Sequence, residues 1–552
     1  MIAIKEFNYS SSDIRMMSYW QYSTNWPIVY IMHNETDAYV GETLDGIRRT
    51  KQHLEEKTDT DYKLICMMTD KNFNKSVALD MESFLIKYMG ADGRFRLHNG
   101  NAGIVDHNYF NRDIYRDEFK YTWSQLIEKG LAKHTIDEIE NLDLFKYSPY
   151  KSLTFEQEDA LSDILKIIED NYNRGTDKKL IVVNGEAGTG KTILAVYLMK
   201  LFREIADGNL GLYQEEDEID RLELLNEFAH RIGKLKVGFV VPMQSLRESL
   251  KNVFDNVDGL SSDMILRPTD VVNDYYDLLV VDEAHRLHRR AYLARYTPFD
   301  DANDKLGLDK DATELDWIIK SSRMQLIFYD SEQSVRPSDI QRAQFAKLIS
   351  DHMCKEIKLT SQLRCKGGND YIDYVKSVIY EKADVRRTGF GDYDVRVFDD
   401  PNEMITAIKN KNDEIGLCRT VAGYGWKWKS NSDKKSYDIT FGDKGYKWNT
   451  ESTDWINSEN SINEIGCIHT VQGYDLNIVG VIFGPEIRFD HELKTIMIDK
   501  TNYYDHLGKT KDIDELKGFI QNIYVTLMTR GIRGTYIYAC DPGLQAYLKK
   551  YF

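Results

Sequence analysis

The octapeptide Gly185-Glu-Ala-Gly-Thr-Gly-Lys-Thr192 fits G-x-x-x-x-G-K-[ST] and lies between a strand-like run, LIVVNG, and a helix-forming run, ILAVYLMKLF. Few features restrict a fold more. A buried strand must end, the backbone must wrap a phosphate with its N–H groups inward, and a helix must start with its positive end on that anion. Gly185, Gly188 and Gly190 permit the wrap, Lys191 reaches the β- and γ-phosphates, and Thr192 offers its hydroxyl to Mg²⁺. LLVVDEAH at 278–285 places two carboxylates at the end of another buried strand, Asp282 to hold Mg²⁺ and Glu283 to polarise water. Together these elements predict ATP and Mg²⁺ as cofactors.

Strand, turn and helix then recur. VGFVVP (237–242), LLVVD (278–282), QLIFYD (325–330), IGCIHT (465–470) and IVGVIFG (478–484) are short Val- and Ile-rich runs, as parallel strands covered on both faces require. The fold class is therefore α/β. At about 100 to 200 residues per domain, 552 residues leave room for several domains. A boundary is predicted at KYSPYKSL (146–153), where a helical pattern over 120–145 stops at Ser-Pro before a helix from about Phe155 to Asn173, closed by Gly175. The division is 1–148, 149–350 and 351–552, with an acidic insertion near 207–235 (YQEEDEIDRLE at 213–223, a solvated face) and a Trp-rich insertion near 422–462.

Charge restricts the partners. The net charge is −17, and residues 1–150 carry 18 Lys+Arg against 23 Asp+Glu, so neither part is basic. A nucleic acid must be held by a local groove of cations, because the long-range field repels phosphate. The six cysteines form no CxxC pair, which points away from zinc and disulfides. No apolar run approaches the roughly 18 residues of a membrane span, and the first residues lack a signal-peptide pattern, so a cytoplasmic protein without membrane contact is expected.

From about residue 150 onward the chain resembles the superfamily-one helicases, and more closely the Schlafen-type helicase-like family of two RecA-like folds. The resemblance rests on VVPMQSLRESL (240–250), a strand-contacting motif, and on IFYDSEQSVRPSDI (327–340), with Asp330 and Gln333 as the sensor of the γ-phosphate. It rests further on LTSQLRC (359–365) with Arg364, on IHTVQGYDLNIVGVIFG (468–484) with Gln472 and Gly473, and on IYVTLMTRGIRGTYIY (523–538) with Thr529 and Arg530. The letters DEAH suggest the other helicase superfamily, but its final motif reads Q-x-x-G-R-x-G-R where this chain has TRGIRG. The resemblance implies that Gln157, within the capping box Thr154-Phe-Glu-Gln157, reads adenine. Arg364 and Arg530 lie too far along the chain for the first fold, so they are expected to reach ATP only when two folds close, contributing about 10³ to 10⁵ in rate. Trp426, Trp428, Trp448 and Trp455, interleaved with lysines, suit either packing or base stacking.

The front part resembles a GIY-YIG endonuclease. Ile28-Val29-Tyr30 stands at the GIY position and Tyr39-Val40-Gly41 at YIG, in two β runs joined by NETD. Arg49 follows ten residues after Tyr39, and His53 four further on, on one face of a helix. Glu82 sits in a helix between apolar neighbours, and Asn99 matches the late asparagine. Ile28 replaces the first glycine, which supplies no functional group. The resemblance implies a small α+β domain in which Glu82 binds one Mg²⁺ or Mn²⁺, Arg49 stabilises developing charge, and Tyr30 or Tyr39 with His53 activates water.

The combined expectation is two RecA-like P-loop domains with parallel sheets behind a GIY-YIG-like domain: an ATP-driven helicase or translocase carrying an endonuclease. DNA is favoured over RNA as its partner, and by analogy of fold the pairing suits prokaryotic anti-phage defence. The alternative is an ATP-gated binding module with a silent nuclease fold.

Overall fold

The computed structural model describes residues 1–55, 60–99, 109–151, 153–173, 180–208, 219–330, 332–351, 354–387, 389–451 and 454–552. Contacts divide it into two units, Met1–Ser162 with Ile193–Leu235 and Leu250–Asp263, and Asp163–Thr192 with Lys236–Ser249 and Met264–Phe552. Gly175, part of the acidic stretch (209–218), residues 100–103 beside Asn99, and residues 452–453 of the Trp-rich segment lie outside the described residues.

In the first unit, β1 (Ala3–Asn8), β2 (Ile28–His33), β3 (Asp37–Thr43), β4 (Leu64–Thr69) and β5 (Arg96–Leu97) form one sheet in the order β1-β4-β2-β3-β5. The predicted hairpin is β2–β3, antiparallel, with Tyr30 opposite Gly41 and Met32 opposite Tyr39. β2 is buried along its whole length. Helix Lys75–Asp92 packs on β2 and β3, while Met17, Ile28, Tyr30, Met32, Ile65 and Met67 form an apolar cluster that Ile47 of helix Gly46–Glu55 joins. Helix Lys75–Asp92 starts where Asn74 accepts the Val77 N–H at 3.0 Å and stops at Gly93, φ 67°. The single helix expected over 120–145 is three, Arg112–Glu128, Ile136–Asn141 and Asp143–Lys146. Gly130 at φ 73° breaks the first, and a Thr135–Glu138 capping box restarts the chain.

In the second unit, β6 (Leu180–Gly185), β7 (Val237–Val240), β8 (Ile265–Leu266), β9 (Tyr276–Val281), β10 (Ser322–Tyr329) and β11 (Lys355–Leu359) form an all-parallel sheet, β11-β6-β10-β9-β7-β8. β12 (Asp394–Val397), β13 (Arg419–Ala422), β16 (Ile465–Gly466), β17 (Leu476–Phe483) and β20 (Gly531–Ala539) form a second parallel sheet, β12-β20-β17-β13-β16. Two hairpins are inserted into it, β14 (Ile439–Phe441) with β15 (Lys444–Tyr446), and β18 (Ile487–Asp490) with β19 (Thr495–Ile498).

The division at 350 falls too early, because β11 pairs with β6 and belongs to the first sheet. As an edge strand it alternates polar and apolar residues, KEIKL, unlike the apolar runs of the centre. IGCIHT is not one strand but the two-residue β16 and a helical turn, Ile468–Val471, begun where Thr470 Oγ1 accepts the Cys467 N–H at 3.1 Å. None of the six cysteines is in a disulfide, and no helix among the described residues is long and apolar enough to cross a membrane.

Candidate functional site

β6 ends at Gly185 and helix Lys191–Asp207 begins six residues later. Gly188 and Gly190 have φ of 85° and 79°, which side chains resist, and a Cβ on Gly188 would fall 2.1 Å from Gln362 Oε1. Gly185 is closed in too, a Cβ there lying 2.6 Å from Thr189 Oγ1. The Lys191 ammonium is folded onto the loop, donating to the carbonyls of Gly185 (2.6 Å) and Glu186 (2.8 Å), with Asp330 Oδ2 at 3.8 Å. Thr192 Oγ1 donates to Asp282 Oδ2 at 2.7 Å. Glu283 is held at φ 51°, ψ 41°, a strained left-handed conformation, with its carboxylate 3.0 Å from His285 Nε2. Burial first, and the Glu283 charge second, push the Asp282 carboxyl up to about 6. Burial acts to raise Glu283 as well, but His285, Lys191 and Arg530 hold it below its ordinary value, so Glu283 is the more acidic member of the pair.

A hydrogen-bonded series leaves this centre. Asp330 Oδ2 accepts from Gln333 Nε2 at 2.7 Å, and Gln333 Oε1 accepts from Arg530 Nη2 at 3.0 Å. Arg530 is 1% exposed and stands between helix Ile513–Met528 and β20, so a residue beside the second sheet reaches Gln333, which follows β10 of the first. Its Nη1 also points to the Tyr474 carbonyl at 3.5 Å. Tyr474 Oη donates to the Ser245 carbonyl and lies 3.1 Å from Ser249 Oγ, which brings the 468–484 and 240–250 motifs together. Gly473 needs its φ of 91° for this turn. Gln472 is 0% exposed, and neither polar atom of its amide has a hydrogen-bond partner among the described residues. Thr529 caps its helix, donating to the Val525 carbonyl at 2.9 Å.

Arg364 departs from expectation. It follows β11 of the first sheet, and the Leu363 N–H donates to the Gly188 carbonyl at 2.9 Å, so Arg364 belongs to the segment leaving the first fold. Its guanidinium is ion-paired with Asp475. Gln157 closes the capping box, its Oε1 accepting the Thr154 N–H at 3.0 Å. Three participants were invisible in sequence: Gln362, whose Nε2 donates to Ala187 O at 2.7 Å, Asp475, and Lys376, 2.6 Å from both Glu186 and Glu332. Each meets its partner across a long chain separation, and no local signal marks it.

In the first unit the front residues gather. Tyr30 Oη lies 2.8 Å from His53 Nε2 and accepts from Arg49 Nε at 3.4 Å. The Tyr39 ring is 6.3 Å from that of Tyr30 and 5.6 Å from that of His53. Glu82, 3% exposed, is near enough for its charge to act on Tyr30. Burial first, then Tyr39, hold the Tyr30 phenol well above its ordinary value, against the pull of Arg49. Gly41 is obligatory, since a Cβ there would fall 2.4 Å from Tyr30 Oη. Ile28 packs on Gly46, where a Cβ would meet its Cδ1 at 2.6 Å. Asn99 is occupied by backbone, accepting the Val40 N–H at 3.0 Å and donating to the Val40 carbonyl at 2.8 Å, so it fixes β3.

No group of three or more His, Cys, Asp or Glu suited to a metal exists among the described residues. Thr192 with Asp282 fits Mg²⁺ whose remaining ligands are phosphate and water, the usual mode for that ion, and Glu82 brings one buried carboxylate, 3% exposed, to the front cluster.

A family model described as Schlafen group 3, DNA/RNA helicase domain, matches residues 178–541. The uncharacterized protein YPL245W of Saccharomyces cerevisiae is 26% identical over 438 residues, which span 71% of this chain and 90% of that protein. Among solved structures, a Pif1 helicase from Bacteroides in complex with ADP-AlF3 and ssDNA is 12% identical, with 70% of this chain and 92% of that chain covered and a TM-score of 0.24. An arterivirus nonstructural protein 10 (helicase) with DNA is 13% identical, with 70% and 65% covered and a TM-score of 0.28.

Proposed function

We propose, from the premise that this chain belongs to the Schlafen group 3 DNA/RNA helicase family, that it is an ATP-driven motor on a nucleic-acid strand with a metal-dependent DNA endonuclease at its front. The observation that carries the motor reading is the series Lys191, Asp330, Gln333, Arg530, which joins the phosphate loop of one sheet to an arginine of the other. Lys191 leaves the loop carbonyls for the β- and γ-phosphates of ATP. Ionised Glu283 orients the attacking water, and Arg530 neutralises charge developing on the γ-phosphoryl oxygens. Loss of that phosphate leaves Gln333 as the remaining partner that holds Arg530 toward the first fold, so the join between the folds tightens and loosens once per turnover. Mg²⁺ on Thr192 and Asp282 would supply charge neutralisation between the phosphates.

At the front, Tyr30 and His53 share a hydrogen bond through which a proton leaves the attacking water, and Arg49 stabilises the phosphorane-like charge. Glu82 would hold Mg²⁺ or Mn²⁺, which polarises the scissile phosphate. One observation favours the second reading, an ATP-gated binding module with a silent nuclease fold: Tyr30 is only 2% exposed. Plasmid DNA incubated with Mg²⁺, with and without ATP, separates the two. Lys191→Ala abolishes ATP hydrolysis, while Glu82→Ala keeps hydrolysis and loses nicking. Nicking by Glu82→Ala at the parental rate overturns the nuclease assignment, and absence of nicking by the parent favours the silent module.

A further inference from the structure

The insertion between β13 and β16 divides its aromatic side chains. Trp448 and Trp455 are 2% and 0% exposed and direct their indole N–H groups inward, to the Gly466 carbonyl at 3.3 Å and Glu464 Oε2 at 2.9 Å. Trp428 and Tyr437 are 37% and 54% exposed, yet both are held in place. Buried Asp438 accepts the Ser430 and Trp448 N–H groups, each at 2.8 Å, and so pins the loop carrying Trp428 to the insertion's interior. Trp428 Nε1 donates to Ser430 Oγ at 3.2 Å. The Tyr437 ring covers Gly445, where a Cβ would fall 2.5 Å from its Cγ.

Lys427 and Lys429 flank Trp428 along the chain and Lys434 and Lys435 precede Tyr437, all exposed and none ion-paired among the described residues. Asp433, the acid within this run, is taken by Ser436 Oγ at 2.7 Å and the Lys435 N–H at 3.1 Å. In a chain of net charge −17, four exposed lysines against the one carboxylate of Asp433, in the loop that carries two fixed rings, match phosphates with unpaired bases between them. A duplex would use the lysines but leave the rings without bases to stack on.

We propose that this face of the insertion is a nucleic-acid site that holds a single strand, stacking bases on Trp428 and Tyr437 while the lysines neutralise its phosphates. It rests on the motor reading and extends it to a second point of grip. The insertion is packed onto the motor, not tethered to it: the Tyr424 ring lies 4.8 Å from Trp448 and 5.4 Å from His469, just before the Gln472–Gly473 turn.

The test uses the full chain and labelled single-stranded oligothymidylate and oligouridylate, with a duplex of the same length, titrated over a range of salt. Trp428→Ala weakens single-strand binding about tenfold or more. Lys427→Gln with Lys429→Gln lowers the slope of log affinity against log salt by about 1.4. Neither change alters the melting temperature or the ATP hydrolysis measured without nucleic acid. Parental affinity and slope in both variants overturn the proposal; if oligonucleotide still stimulates the parent's ATP hydrolysis, the motor reading survives that result. Equal losses on duplex and single strand overturn it in favour of a duplex site. A parent that binds none of the probes overturns both.

Discussion

Arg530 and Gln333 should act as a unit in ATP hydrolysis. The guanidinium is 1% exposed, and its Nη2 donates to Gln333 Oε1 at 3.0 Å. A hydrogen bond to a charged group contributes about 1.5 to 3 kcal/mol, so Gln333→Ala should lower kcat by roughly 10- to 150-fold if that bond persists at the transition state. Arg530→Lys keeps the charge and most of the volume but loses the fork, and it should forfeit most of an arginine-finger effect of about 10³ to 10⁵. Because Gln333 works by aiming Arg530, the double variant should lose little beyond Arg530→Lys, a coupling of about 1.5 to 3 kcal/mol. Steady-state hydrolysis supplies kcat, and a fluorescent ATP analogue supplies nucleotide affinity, which should change less than about threefold. Losses that simply add would refute the coupling. Parental kcat in Arg530→Lys would reduce the arginine to a packing element.

Arg364 is ion-paired with Asp475; if that pair competes with nucleotide for the guanidinium, Asp475→Asn should raise kcat several-fold without nucleic acid, and a lower kcat would place Asp475 in the reaction itself. Tyr30→Phe removes the hydroxyl shared by His53 and Arg49 and should cut nicking by about 10² to 10⁴ with ATP hydrolysis intact; nicking at the parental rate would exclude Tyr30 from proton transfer. Glu486 is 0% exposed, wedged against Gly423, Gly425 and Gly484, and burial, opposed by the Tyr524 hydroxyl, pushes its carboxyl from 4.5 up to about 7. The unfolded chain releases this proton first, so stability is full below about pH 4.5 and falls by about 3 kcal/mol as pH rises through 7. Glu486→Gln should flatten that slope in denaturant midpoints at about pH 5 and about pH 8; an unchanged slope would assign it elsewhere.

Much of this molecule is written locally. LIVVNGEAGTGKT names a strand, a turn and a helix in order, because glycine freedom and apolar runs are properties of adjacent residues. The β2–β3 hairpin and the helix carrying Arg49 and His53 are legible for the same reason. What sequence hides is long-range pairing. β11 looks like a polar linker until it pairs with β6, and that pairing moves Arg364 from the second fold to the exit of the first. Four tryptophans in one polar segment are alike as letters, but all of Trp428, Trp448 and Trp455 find acceptors (Ser430, Gly466 and Glu464), and only Trp428 leaves its ring 37% exposed. Asn99 stands at the position of the late asparagine, and both ends of its amide are taken by Val40, a pairing no local signal announces.

The most direct test of the central claim, that nucleotide turnover is tied to a gripped strand through the Arg530–Gln333 contact, is ATP hydrolysis with and without single-stranded oligonucleotide. Hydrolysis that rises with the strand in the parent, vanishes in Lys191→Ala, and in Arg530→Lys is low and does not rise with the strand is the predicted result. Hydrolysis indifferent to the strand, or surviving Lys191→Ala, would contradict it.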